Sequence, residues 1–144
     1  MSKLDYRKDT FTYFKTLHPE ITNGTVLDYG SNYGTFLDSS NGNFLHKNYT
    51  GIDVDESALQ EGERLFPDAK FVHYNGFNLA YNPNGIKGCR PLLENDQYDT
   101  IISYSVLTHT TIEDMLETID WLFSLLKPKG KLLVTWLDVD NKTT

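Results

Sequence analysis

The sequence predicts an α/β fold, an open parallel sheet with helices on both faces. Two observations predict it. Five short runs rich in β-branched and apolar residues alternate with helical stretches, the pattern of a covered parallel sheet. The first of those runs ends in a glycine-bearing turn that leads into a helix, and ligands of open α/β sheets bind at such turns. The length of 144 residues suits one domain, and no internal repeat or linker interrupts it.

Leu4 to Leu17 carries Tyr6, Thr10, Tyr13, Phe14 and Leu17 at helical spacing, so residues 1–20 are expected to hold an N-terminal helix that stops before Pro19. Thr25 to Gly30 reads as a buried strand. A short helix is expected over Tyr33 to Asp38, broken by Ser39-Ser40-Asn41-Gly42, and Tyr49 to Val54 forms the second strand. Asp55-Glu56-Ser57 can start the next helix, which carries Leu59, Leu65 and Phe66 before Pro67. Lys70 to Tyr74 is the third strand. Residues 75–96 are crowded with Asn, Gly and Pro, and a loop of that length in a compact domain is usually functional or disordered. We expect it to shape the substrate side of a site. Tyr98 to Val106 is the fourth strand. Thr110-Thr111-Ile112-Glu113 has capping-box spacing, ahead of a helical stripe of Ile112, Met115, Leu116, Ile119, Leu122, Phe123 and Leu126. Lys127-Pro128-Lys129-Gly130 ends that helix, and Lys131 to Trp136 is the fifth strand.

Composition narrows the function. The net charge is −7, with 13 basic residues scattered among 20 acidic ones, which disfavours a nucleic-acid footprint. A single cysteine, Cys89, excludes a disulfide framework, and no Cys/His cluster suggests a metal site. No apolar run approaches the ~20 residues of a membrane span. The N-terminus has no apolar core of a signal peptide. A cytoplasmic protein with no membrane partner is the expectation.

The chemistry concentrates in Val26-Leu27-Asp28-Tyr29-Gly30-Ser31-Asn32-Tyr33-Gly34. Glycines here let a backbone approach a ligand closely. Asp28 disfavours a pyrophosphate and welcomes an ammonium or sulfonium, and the third glycine of the dinucleotide pattern is missing. Asp53 closes the second strand about 20 residues beyond the loop, where a ribose-binding carboxylate sits in nucleoside-binding half-folds. The bland alternatives are a tight turn without a ligand and a surface acid beside Asp55. Asp53 and Asp55 as a metal pair would be a weak match.

Four segments together resemble the class I S-adenosylmethionine-dependent methyltransferases, a Rossmann-like family. They are the loop just quoted, Tyr49-Thr50-Gly51-Ile52-Asp53-Val54, Tyr98 through His109, and Leu125-Leu126-Lys127-Pro128-Lys129-Gly130. The resemblance runs from about Thr25 to Trp136 and implies strand order 3-2-1-4-5. It further implies that Tyr29, Gly30, Ser31, Asn32 and Gly34 wrap the methionine part of S-adenosylmethionine, with Asp28 toward its ammonium. Asp53, with Val54 beside it, would bind the ribose. Ser103 and Tyr104 would lie under the sulfonium. Asn75, next to Gly76, aligns with the usual adenine-contacting acid, and its amide can serve instead. Lys129 stands where the family often has glycine.

Methyl transfer to a hydroxyl needs a base, and His109, just past the fourth strand, is the candidate; its alternative is a backbone-bonding role ahead of Thr110. His18, His46 and His73 read as structural. The resemblance points to a small-molecule or sugar acceptor, methylated at oxygen, with S-adenosylhomocysteine as the other product. The rival reading is a non-catalytic module that keeps the fold and works as an assembly partner. The family continues past the fifth strand with a further helix and an antiparallel hairpin. We therefore expect a shortened core whose exposed edge or face pairs with a second copy.

Overall fold

The computed structural model describes residues 8–104, 106 and 111–135. Nine main elements follow in order: α1 (Thr10–Leu17), β1 (Val26–Tyr29), α2 (Thr35–Ser40), β2 (Tyr49–Asp53), α3 (Glu56–Leu65), β3 (Lys70–His73), β4 (Tyr98–Ser103), α4 (Ile112–Leu125) and β5 (Leu126–Val134). The strands form one sheet in the order β3-β2-β1-β4-β5, with every pair parallel. This is the predicted Rossmann-like open sheet.

Alternation along β1 divides the core into two layers. Val26 packs on one face with Phe11 and Phe14 of α1, Phe36 and Leu37 of α2, and Tyr49. Leu27 and Tyr29 pack on the other with Ile52, Ile101 and the α4 residues Leu122 and Leu125. Asp28 falls on the first face, beside Gly51 of β2 and Ile102 of β4. A carboxylate is thereby held in an aromatic layer at the end of the central strand.

Several boundaries differ from the sequence reading. The described part of the first helix starts at Thr10, with Asp9 accepting from the Thr12 N–H at 3.0 Å as its cap. Asp55 caps α3 as expected. Thr111 caps α4, accepting from the Asp114 N–H at 3.1 Å, and Thr110 lies outside the described residues. The apolar stripe of α4 is wider than its contact with the sheet. Leu122 and Leu125 are fully buried, while Ile112, Leu116 and Phe123 are more than half exposed. The fifth strand starts earlier than expected, because Leu126 already pairs with Tyr98. Pairing then resumes at Thr100 and Lys131, so Lys127 to Gly130 bulge out of the ladder. Lys129 occupies the left-handed region there, with φ +68°.

No helix among the described residues is long and apolar enough to cross a membrane. None of their His, Cys, Asp and Glu side chains gather in a group of three that could hold a metal.

Candidate functional site

The loop between β1 and α2 is stitched to the carboxyl end of β2. The N–H groups of Gly30 and Ser31 both donate to the Ile52 carbonyl, at 2.9 and 3.0 Å. Gly30 has φ +78°, and a Cβ on it would collide with Val106. Asn32 also takes a left-handed conformation, φ +54°. That turn aims its N–H at Asp53 Oδ2, 2.7 Å away, while the Asp55 N–H donates to Asp53 Oδ1 at 2.9 Å. Each carboxylate oxygen thus keeps lone-pair capacity beyond one backbone donor. Burial pushes the Asp53 carboxyl above its usual range, against the pull of those N–H groups.

Asp28 is 6% exposed and accepts a 2.6 Å hydrogen bond from the Tyr49 hydroxyl. Burial pushes its carboxyl up to about 7; the Tyr49 bond opposes the rise and the charge of Asp53 adds to it. The same burial, next to Asp28, holds the Tyr49 hydroxyl well above its ordinary range, so it stays a donor.

Two cavities open above these residues. The larger, about 250 Å³, is bordered by Tyr29, Gly30, Asn32, Asp53, Val54 and Asp55, with Tyr74, Phe77, Asn78 and Tyr81 from the chain after β3. The smaller, about 130 Å³, lies between α1 and the glycine loop, bordered by Thr10, Phe14, Asp28, Ser31, Thr35 and Phe36. Gly30, Asn32 and Tyr104 border both, so the two are adjoining halves of one trough over the carboxyl ends of the sheet. Such a trough suits an elongated ligand with one end near Asp53 and the other near Asp28.

The sequence pattern of a methyltransferase domain matches residues 6–143. The chain belongs to the methyltransferase domain family. Solved structures share the fold of this methyltransferase domain at low identity. Streptomyces venezuelae DesVI matches at TM-score 0.61 and 18% identity, over 97% of this chain and 61% of its own. A Mesorhizobium loti S-adenosylmethionine-dependent methyltransferase matches at TM-score 0.59 and 17% identity, over 85% and 51%. A Haemonchus contortus phosphoethanolamine N-methyltransferase, solved with phosphoethanolamine and S-adenosylhomocysteine, matches at TM-score 0.59 and 12% identity, over 83% and 23%. The methyltransferase domain therefore spans less than two thirds of these relatives' length. A search of curated protein sequences returns no match.

Of the residues singled out in sequence, Asp28, Tyr29, Gly30, Ser31, Asn32, Asp53, Val54 and Tyr104 all border the trough of the methyltransferase domain. Four others do not. Gly34, φ +93°, starts α2, and a Cβ on it would press on Phe66 and Phe71, so its place is in packing. Ser103 is fully buried and its hydroxyl donates to the Tyr29 carbonyl at 3.0 Å. Asn75 is exposed, and its Oδ1 accepts from the Asn82 amide at 2.9 Å. Gly76 is buried in a bridge to Ile86. His109 lies outside the described residues. Phe77 and Tyr81 belong to the 75–96 loop that was expected to shape the substrate side, although neither was singled out, and Tyr74 was read only as the end of a strand. Thr10 and Phe14 were read only as residues of the first helix.

Proposed function

We propose that this domain transfers a methyl group from S-adenosylmethionine to a small-molecule or sugar acceptor, at oxygen. The carrying observation is the pairing of Asp53 and Asp28 at opposite ends of one trough, with the glycine loop between them. Asp53, already oriented by the Asn32 and Asp55 N–H groups, has acceptor capacity left for the two ribose hydroxyls. Asp28 is a buried acid with a single side-chain donor among the described residues, and an ammonium beside it would complete its neutralisation. Val54, Phe77 and Asn78 border the ribose end and take the adenine, in place of Asn75. Fold relatives include an S-adenosylmethionine-dependent enzyme and one solved with S-adenosylhomocysteine, which supports the same cofactor here.

The cofactor supplies a methyl carbon already activated by its sulfonium. The residues then have to bind, orient and exclude water. Gly30 and Asn32 fix the midpoint of the trough, and Tyr104 borders it where both cavities meet. Tyr29, Tyr74 and Tyr81 line the larger cavity. A hydroxyl acceptor forms its new carbon–oxygen bond as the carbon–sulfur bond breaks, and its proton passes to a base. His109 is the residue proposed for that proton.

Incubation with methyl-labelled S-adenosylmethionine and a panel of hydroxylated and amino sugars tests the reading. Label in a hydroxylated acceptor, with an equal yield of S-adenosylhomocysteine, is expected. Label confined to amino groups contradicts the oxygen assignment, and no label in any acceptor contradicts the transfer.

A further inference from the structure

The first half of the segment between β3 and β4 closes on itself. The Phe77 N–H donates to the Ile86 carbonyl at 3.1 Å, the Ile86 N–H to the Asn75 carbonyl at 2.9 Å, and Asn78 and Asn82 exchange backbone bonds. This closed loop stands out to solvent, with Leu79 78%, Tyr81 69% and Ile86 59% exposed. Phe77, Asn78 and Tyr81 nevertheless border the larger cavity. Their placement there depends on how the chain is held on either side of the loop. On the near side β3 holds it. On the far side the Cys89 N–H donates to the Ile86 carbonyl at 3.2 Å, and the next residue, Arg90, reaches α4.

Arg90 Nη2 donates to Thr118 Oγ1 at 2.8 Å, and its guanidinium lies over the Trp121 ring, 5.0 Å from the centroid. Thr118 is buried, so the acceptor is fixed in place, and a planar cation is suited to stacking and bonding at once. Trp121 in turn meets Tyr29 edge-on, with centroids 6.1 Å apart. Tyr29 and Tyr74 line the larger cavity beside Asp53. Burial raises the Tyr74 hydroxyl above its ordinary range, Tyr29 adds to the rise and the Arg90 charge opposes it, so the guanidinium acts on the cavity wall from behind. We infer that Arg90 is a positioning residue for the cofactor: its clamp on Thr118 and Trp121 holds the 75–86 loop so that Phe77 stands at the adenine end of the larger cavity. This rests on the cofactor reading above and adds a residue that does not border the cavity itself.

Calorimetry with S-adenosylhomocysteine on the wild type, Arg90→Met, Phe77→Ala and the double variant tests this. Arg90→Met keeps the apolar stem and loses the cation and the donor. It is expected to weaken binding about tenfold at unchanged stoichiometry, the upper range for one aromatic contact. The double variant should bind within about twofold of Phe77→Ala alone, because Arg90 acts through that ring. Arg90→Lys, which keeps a cation and a donor, should stay within about threefold of wild type. Additive losses in the double variant would overturn the inference, as would wild-type affinity in Arg90→Met. A reduced stoichiometry with unchanged affinity would overturn it too, since that reports only lost folding. If Arg90→Met does not fold, Thr118→Val removes the acceptor from the α4 side and should weaken binding about threefold; wild-type affinity there overturns the inference. Failure of the wild type to bind overturns the cofactor reading itself, and this inference with it.

Discussion

The Tyr49 hydroxyl reaches Asp28 across the β1–β2 pair and donates to its Oδ2 at 2.6 Å. Tyr49 stands beside Val26 in the register, and Asp28 stands beside Gly51, so the phenol runs along the sheet to meet the acid two positions on. The ring is stacked on Phe36, with centroids 6.0 Å apart, and tilted on Phe71. An aromatic layer thereby carries the one donor that a buried carboxylate needs, directly under the glycine loop.

Tyr49→Phe keeps the ring and removes that donor. Above pH 7 Asp28 is largely an anion in the folded chain. Losing its partner there should cost about 1–3 kcal/mol in urea unfolding. At pH 5 the carboxyl holds its proton and the loss should be smaller. An equal loss at pH 5 and pH 8 would contradict the assignment.

Asp28 also gives unfolding a pH signature. Its carboxyl rises from 3.8 to about 7 in the fold, so between those values the folded chain binds the extra proton. This contribution to stability is complete below about pH 4, declines as pH rises to about 7 and is flat beyond it. Asp28→Asn removes the decline. The stability gap between the variant and wild type should therefore shift in favour of Asn across that window, by about 4 kcal/mol at most. Urea titrations at pH 4.5, 6 and 8 measure it.

Gly51 is required by what surrounds it. A Cβ there would lie 2.6 Å from Ser31 Oγ, 2.7 Å from Ser31 Cβ and 3.1 Å from Phe71. Gly51→Ala should destabilise the domain by about 1–3 kcal/mol, the range for overpacking a core. The displaced Ser31 should also weaken ligand binding, read by calorimetry on the folded variant.

The parts of this site that were legible in sequence are local ones. The strand, the glycines and the acid at the end of the second strand lie in two short segments whose spacing follows from strand–turn–helix geometry. What was illegible depends on long-range register. Thr10 reaches the trough only because α1 packs on the same sheet face as Asp28. Asn75 follows β3 directly, and spacing alone puts it at the site. The Asn82 amide instead holds Asn75 Oδ1 and the Gly76 carbonyl, at 2.9 and 2.8 Å. The Gly76–Ile86 bridge then turns the chain so that Phe77 and Asn78 face the cavity. The start of β5 was missed for a similar reason. Pro128 and Gly130 read as a helix stop, and a bulge accommodates them inside the strand.

Lys129 offers a control far from the trough. Its φ of +68° is a conformation that glycine adopts without steric cost. Lys129→Gly should stabilise the domain by about 0.5–1 kcal/mol, the steric relief being partly offset by the entropy of the unfolded glycine. Ligand affinity should not change. Thermal unfolding with and without S-adenosylhomocysteine checks both parts.

Calorimetric titration of the folded domain and of Asp53→Ala with S-adenosylhomocysteine tests whether the trough holds the cofactor with its ribose on Asp53. One site on the wild type is expected, with a loss of more than tenfold in Asp53→Ala, because the ribose partner and the anchor of Asn32 go together. Absence of binding to the folded wild type at millimolar ligand would contradict the claim, and unchanged affinity in Asp53→Ala would contradict the ribose assignment.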